Sequence, residues 1–160
     1  MAALAAIALT LALGNWQSRR AEEKFELGRD LDEAARRPVL LLPPGPIQAQ
    51  GYEFSRVSAR GEYSPRHTIL LDNIVLRGVA GYQVLTPLKI SGDGVYVLVN
   101  RGWVAAGPRR DSLPQILTPA GIETVEGIAV VPSTRFLELA ANTVEGIVWQ
   151  NLVLERYAKW

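Results

Sequence analysis

The stretch Val95 to Val104, reading V-Y-V-L-V-N-R-G-W-V, constrains the fold more than any other part of the chain. As a strand it points Val95, Val97 and Val99 one way and Tyr96 and Leu98 the other, so both faces are apolar. This predicts a central strand, among the most buried in its domain. The run then changes abruptly, because Asn100, Arg101, Gly102 and Trp103 place an amide, a fixed positive charge, a bare backbone position and an indole in succession. A guanidinium keeps its proton, so Arg101 must reach water or an acceptor. It either pairs with an Asp or Glu that pins the strand end or meets an external anionic group, and neither role is catalytic. Gly102 is expected to serve backbone shape or close approach.

At 160 residues, 48% of them hydrophobic, the chain fits one domain plus an appendage. Seventeen Lys and Arg balance sixteen Asp and Glu, and no basic cluster is interleaved with aromatics, so nucleic acid is excluded as the expected partner. The chain has no cysteine, which removes disulfides, thiolate catalysis and cysteine metal sites. Its one histidine, His67, leaves no multi-histidine metal site.

Ala2 to Leu13 is apolar apart from Thr10. At 1.5 Å per residue such a run covers about 18 Å, short of about 30 Å of hydrocarbon. It lacks a preceding basic residue and a cleavage site, so a membrane helix with its start missing is preferred to a secretory signal, with a buried core helix as the alternative. Trp16 would sit at headgroup level, with Arg19, Arg20 and Lys24 beyond it. The helix should continue as an amphipathic stalk leaning on the domain to about Arg37, where Pro38 ends it. Residues 1–37 therefore form a partial membrane helix and stalk, 38–51 a Pro-rich linker, and 52–160 a β-rich extramembrane domain.

Within that domain, Phe54 to Tyr63 reads as a strand with Val57, Ala59 and Gly61 inward and Arg56, Ser58, Arg60 and Glu62 outward. It should form a hairpin with His67 to Leu71 across Ser64-Pro65-Arg66. Tyr82 to Ile90 follows, with Pro87 placed at an edge or bulge because it lacks a ladder donor. Ser91 to Gly94 is the turn into Val95 to Val104, and Gly107 to Gly121 a long exposed loop. Val125 to Val131 and Ile147 to Asn151 supply two more strands, and Asn151 should cap a last helix, Leu152 to Trp160. That helix has an apolar face with nothing to lead into, so the chain is expected to be truncated at both ends. The fold class predicted is mainly β, within α+β: a barrel-like or curled antiparallel sheet of about six strands, closed to hide its edges.

Four motifs can then be compared with known families: Leu13-Gly14-x-Trp16-Gln17-x-x-Arg20-x-x-x-Lys24, Leu71-Asp72-Asn73, Gly81-Tyr82-x-Val84-x-Thr86-Pro87-Leu88, and Val99-Asn100-Arg101-Gly102-Trp103-Val104. Their order and spacing resemble the surfeit locus protein one family, from the first membrane helix to Trp149-Gln150-Asn151-Leu152. The resemblance implies a non-enzymatic assembly factor for haem–copper cytochrome c oxidase. Such a factor is anchored in the bacterial inner membrane with its domain in the periplasm, or in the mitochondrial inner membrane facing the intermembrane space. It implies help in bringing haem a to subunit I of the oxidase, with the haem a synthesis machinery as a further partner. The family's proposed haem-ligating histidine lies near a second membrane helix beyond Trp160, so no residue here inherits that role. His67 is read as a surface or strand-edge histidine, and Trp16, Trp103 and Trp149 as core or interfacial indoles. The basic residues after the apolar run would hold this flank in the cytoplasm, so the family topology requires a more basic upstream flank. A membrane-anchored scaffold that binds protein and no cofactor is the alternative. An enzyme is the weakest reading, because no nucleophile, base and orienting acid stand out.

Overall fold

The computed structural model describes residues 2–90, 94–109, 112–132 and 144–160. One helix, α1 (Ala2–Arg36), takes up the whole N-terminal segment, as expected for a run of Ala, Leu, Glu and Arg without proline. It stops just short of Pro38, and the Arg37 N–H closes the last turn on the Ala34 carbonyl at 3.2 Å. Among the described residues the stalk leans on the sheet through its end, where Ala34 is fully buried and the Arg37 guanidinium donates to the Phe54 carbonyl at 3.4 Å. Among the described residues no helix is long and apolar enough to cross a membrane, because charges follow Trp16 within a turn.

Among the described residues the sheet contains eight strands: β1 (Leu40–Leu41), β2 (Arg56–Tyr63), β3 (Ile69–Leu76), β4 (Val79–Ile90), β5 (Tyr96–Ala105), β6 (Ile122–Ile128), β7 (Val144–Glu145) and β8 (Val148–Trp149). A short helix, α2 (Leu154–Lys159), follows. The expected mainly β architecture is present, but in place of a closed, barrel-like or curled antiparallel sheet of about six strands the described residues form an open, mixed sheet of eight. β1 runs parallel to β2 and β8 parallel to β3, whereas the long strands pair antiparallel.

The central strand is β4, not β5. One edge of β4 carries β5 from Gly81↔Ala105 to Lys89↔Tyr96. The other edge carries β3 from Leu76↔Val79 to Ile69↔Leu85, then β2 from Tyr63↔Leu88 to Gly61↔Ile90. Tyr82, Val84, Leu85, Thr86, Leu88 and Ile90 of β4 are all buried, while β5 is half-buried and, among the described residues, pairs with β4 alone. The apolar alternation of β5 does report its two covered faces: Val95, Val97 and Val99 pack against Ala59, Leu88 and Ile90, and Leu98 against Ile69, Leu85 and Trp149. Alternation says which faces are covered and is silent about which edges are paired.

The expected hairpin of the first two long strands is not formed. β2 and β3 lie end to end along β4, separated by a 3-10 turn at Pro65–His67. The hairpin is β3 with β4, across Arg77 and Gly78 at φ 51° and 81°, the left-handed pair a two-residue turn requires. Pro87 stands in the sheet interior rather than at an edge, buried where β4 changes partner from β3 to β2. Its missing donor therefore breaks no rung, and its carbonyl accepts the Ser64 N–H at 2.8 Å.

Smaller departures follow the same logic. Ser58 is buried because the linker returns as β1 and the Leu42 N–H binds the Ser58 carbonyl at 2.9 Å. The last helix starts after Val153, with no side-chain cap from Asn151. β6 begins earlier and ends earlier than Val125 to Val131, and the expected strand at Ile147 shrinks to β8, turned back from β7 at Gly146 with φ 59°. The predicted turn at Ser91 to Gly94 lies outside the described residues except for Gly94.

Candidate functional site

β5 carries an irregularity opposite Val84: the β4 partners jump from Trp103 at Gln83 to Asn100 at Leu85, so Arg101 and Gly102 together face Val84, one residue more than regular pairing allows. This is a β-bulge, which bends the strand and re-aims its side chains. The Asn100 side-chain oxygen accepts the Gly102 N–H at 3.0 Å. Gly102 has φ 104°, and a Cβ built there would meet nothing within 4 Å. Its requirement is backbone shape and not close approach.

The bulge aims Arg101 at the loop after β5. Its guanidinium donates to the Thr118 hydroxyl at 2.8 Å and the Leu117 carbonyl at 2.6 Å, and its carbon lies 5.1 Å from the centre of the Tyr63 ring. These are neutral acceptors and an aromatic face, in place of the Asp or Glu expected for a pinning role. Burial pushes the Tyr63 phenol above its ordinary pKa; the Arg101 charge opposes that shift and Glu123 adds to it.

Trp103, beyond the bulge, reaches across β4 to β3. Its indole N–H donates to the Ile74 carbonyl at 3.0 Å. A Cβ at Gly81, the β4 residue paired with Ile74, would lie 2.5 Å from the indole ring. Ile74 is offered by a second bulge, where β3 shifts register between Leu71 and Ile74. There Asn73 takes φ 63° and its N–H binds the Asp72 carboxylate at 2.7 Å. Three separate sequence motifs thus meet: Asn73, Gly81 and Asn100 to Trp103. Tyr82 packs beside them against Leu70 and Val84, while Pro87 lies apart at the strand changeover. Gly14, Trp16, Gln17 and Arg20 are exposed on α1, away from this group; the Lys24 side chain lies outside the described residues.

Tyr63, Thr118 and Trp160 carry no sequence mark of a role, and Tyr157 stands out in the sequence only as part of the last helix's apolar face. Thr118 sits in an irregular loop where no periodicity marks it. Tyr157 and Trp160 join a second group around buried Trp149, at ring separations of 5.9 and 5.8 Å, with His67 edge-on to Trp160 at 6.4 Å. The Tyr157 hydroxyl donates to the His67 carbonyl at 2.5 Å, and burial pushes its pKa up to about 12. His67 is exposed, with Nδ1 2.9 Å from the Ser64 hydroxyl in a local turn bond.

The chemistry of these groups is positional. Among the described residues no three His, Cys, Asp or Glu side chains gather to hold a metal. The one histidine lies on an exposed turn. Two shallow surface grooves among the described residues, about 290 and 500 Å³, are walled by residues such as Arg56 and Ile128 or Leu42 and Ile122, with no histidine in either lining. These residues do not fit a haem-ligating site.

The sequence profile described as SURF1 family matches residues 4–160. The chain belongs to the SURF1 family. It is 28% identical to Surfeit locus protein 1 of Takifugu rubripes over 92% of this chain and 68% of that protein. It is 31% identical to a SURF1-like protein of Monosiga brevicollis over 88% of this chain and 58% of that protein. With Surfeit locus protein 1 of Mus musculus it shares 26% identity over 95% of its own length and 54% of the relative's. The chain therefore spans between about half and two thirds of these SURF1 relatives.

Proposed function

We propose that this SURF1-family chain belongs to an assembly factor for haem–copper cytochrome c oxidase, acting without catalysis. The observation that carries the reading is the family match over residues 4–160. The meeting of Trp103 with Gly81 and with Ile74, the neighbour of Asn73, across three strands supports it, because their spacing serves a shaped surface and no bond-making chemistry. The apolar first turns of α1 act as part of a membrane anchor, with the domain in the periplasm or intermembrane space. The protein's task is to assist haem a on its way from the synthesis machinery to subunit I, with haem ligation assigned to no residue of this chain.

A scaffold that binds protein without cofactor is the second reading. The position of His67, exposed and bonded to Ser64, favours it. Deleting the gene is expected to lower mature haem-a oxidase while oxidase transcripts and unrelated membrane enzymes stay unchanged; an undiminished oxidase would reject the assembly role. The full-length protein, co-expressed with haem a synthesis, is expected to purify with an oxidase-like haem absorbance. A colourless protein that still restores oxidase selects the scaffold.

A further inference from the structure

We infer that the tip of the β3–β4 hairpin is a second, peripheral contact with an anionic lipid surface. The inference rests on the membrane-anchored reading of α1 and adds a site that reading does not contain. β5 accompanies β4 only to Gly81, with one further bond from the Ala106 N–H to the Ala80 carbonyl at 3.0 Å. β8 accompanies β3 only at Leu70 and Leu71. Among the described residues, the ribbon beyond has no flanking strand. Val75, Leu76 and Val79 there are 65%, 48% and 50% exposed.

Neighbouring strand residues point to opposite faces, so Val75 and Leu76 leave both faces of the ribbon apolar. A flat protein surface would cover one of them. An apolar medium that closes around the tip covers both. The only charged residue between Asp72 and Lys89 is Arg77, at the turn itself and exposed. A cation flanked by aliphatic side chains, with no carboxylate to repel phosphate, complements an anionic headgroup layer. By register the tip is at the end of β4 opposite the start of β2, near which α1 joins. β2 overruns Ile90 by five residues, so the tip stands roughly 55 Å of strand from that join, and α1 at 1.5 Å per residue measures roughly 50 Å, so the two lengths match closely enough for the apolar run and the tip to reach one bilayer.

Because the chain has no cysteine, a single Leu76→Cys substitution in the full chain takes one environment-sensitive fluorophore at the tip, with Glu62→Cys as the distant control. On vesicles of phosphatidylcholine with phosphatidylglycerol, the Leu76 label is expected to shift to the blue and to be quenched by brominated lipid. The Glu62 label is expected to stay unchanged. Adding Arg77→Gln should weaken tip insertion about fivefold, the size expected for one basic residue at an anionic surface. If the chain sediments with the vesicles while the Leu76 label stays in water, the hairpin inference fails and the α1 anchor stands. If the chain does not sediment, both fail. A blue shift that needs no lipid and grows with protein concentration assigns the tip to a second copy and also overturns the inference.

Discussion

The indole N–H of Trp103 donates to the carbonyl of Ile74 across an intervening strand, and the ring lies where a side chain at Gly81 would have to stand. Gly81→Ala must therefore push both the indole and the β5 backbone at Val104. We expect a loss of about 1–3 kcal/mol, a fall in Tm of roughly 4–10 °C. In a Trp103→Phe background the same substitution should cost less, because part of the obstruction is gone. Equal costs in the two backgrounds, measured by thermal melts of all four proteins, would show that the indole does not set the requirement for glycine.

Gly102→Ala tests a different cause. The space is open, but φ 104° is a conformation that L residues rarely adopt. The expected loss is about 1–2 kcal/mol, with reduced accumulation in cells and impaired oxidase assembly. Normal accumulation, an unchanged Tm and full oxidase assembly together would remove the special role of this bulge.

Arg101→Lys keeps the charge and loses the fork that binds Thr118 and Leu117 together. Amide exchange at residues 112–118 should speed up about 5- to 30-fold, corresponding to roughly 1–2 kcal/mol of lost charge-assisted bonding. Unchanged exchange there would mean that the loop is held by its own packing, chiefly Ile116 against Leu70, Tyr82 and Val84.

Tyr157 gives a pH signature. Its folded pKa is raised from 10.0 to about 12 by burial, so the unfolded chain releases the phenolic proton first. The stabilisation is complete below pH 10 and is lost as pH rises from there toward 12. Tm should fall across that window in the native protein and fall less steeply in Tyr157→Phe. Parallel curves would place the phenol in water.

The alternation of Val95, Val97 and Val99 against Leu98 was readable because side-chain period is a local property. The choice of central strand was not, because edge pairing is decided by segments far away in the chain. The hairpin was misplaced for a related reason: Pro65 marks a turn, but nothing local says whether the flanking strands pair or lie end to end on a third. Gly81, Gly102 and Trp103 stood out by residue type, while their meeting with Ile74 depends on two bulges that no period reveals. Tyr63 and Thr118 carried no mark at all, since ordinary residues become partners of Arg101 only through the fold.

Among the described residues β4 threads the three buried clusters in turn: Tyr82 and Val84 belong to one, Leu85 to the next, Leu88 and Ile90 to the third. No cluster can come apart without disturbing the strand on which the other two are built. The sheet around β4 should consequently melt as one cooperative unit, so a lesion at the Gly81 end propagates to packing around Ala59 at the other. Under the assembly role proposed above, this means that partial damage yields fewer intact molecules rather than a population of slightly altered ones.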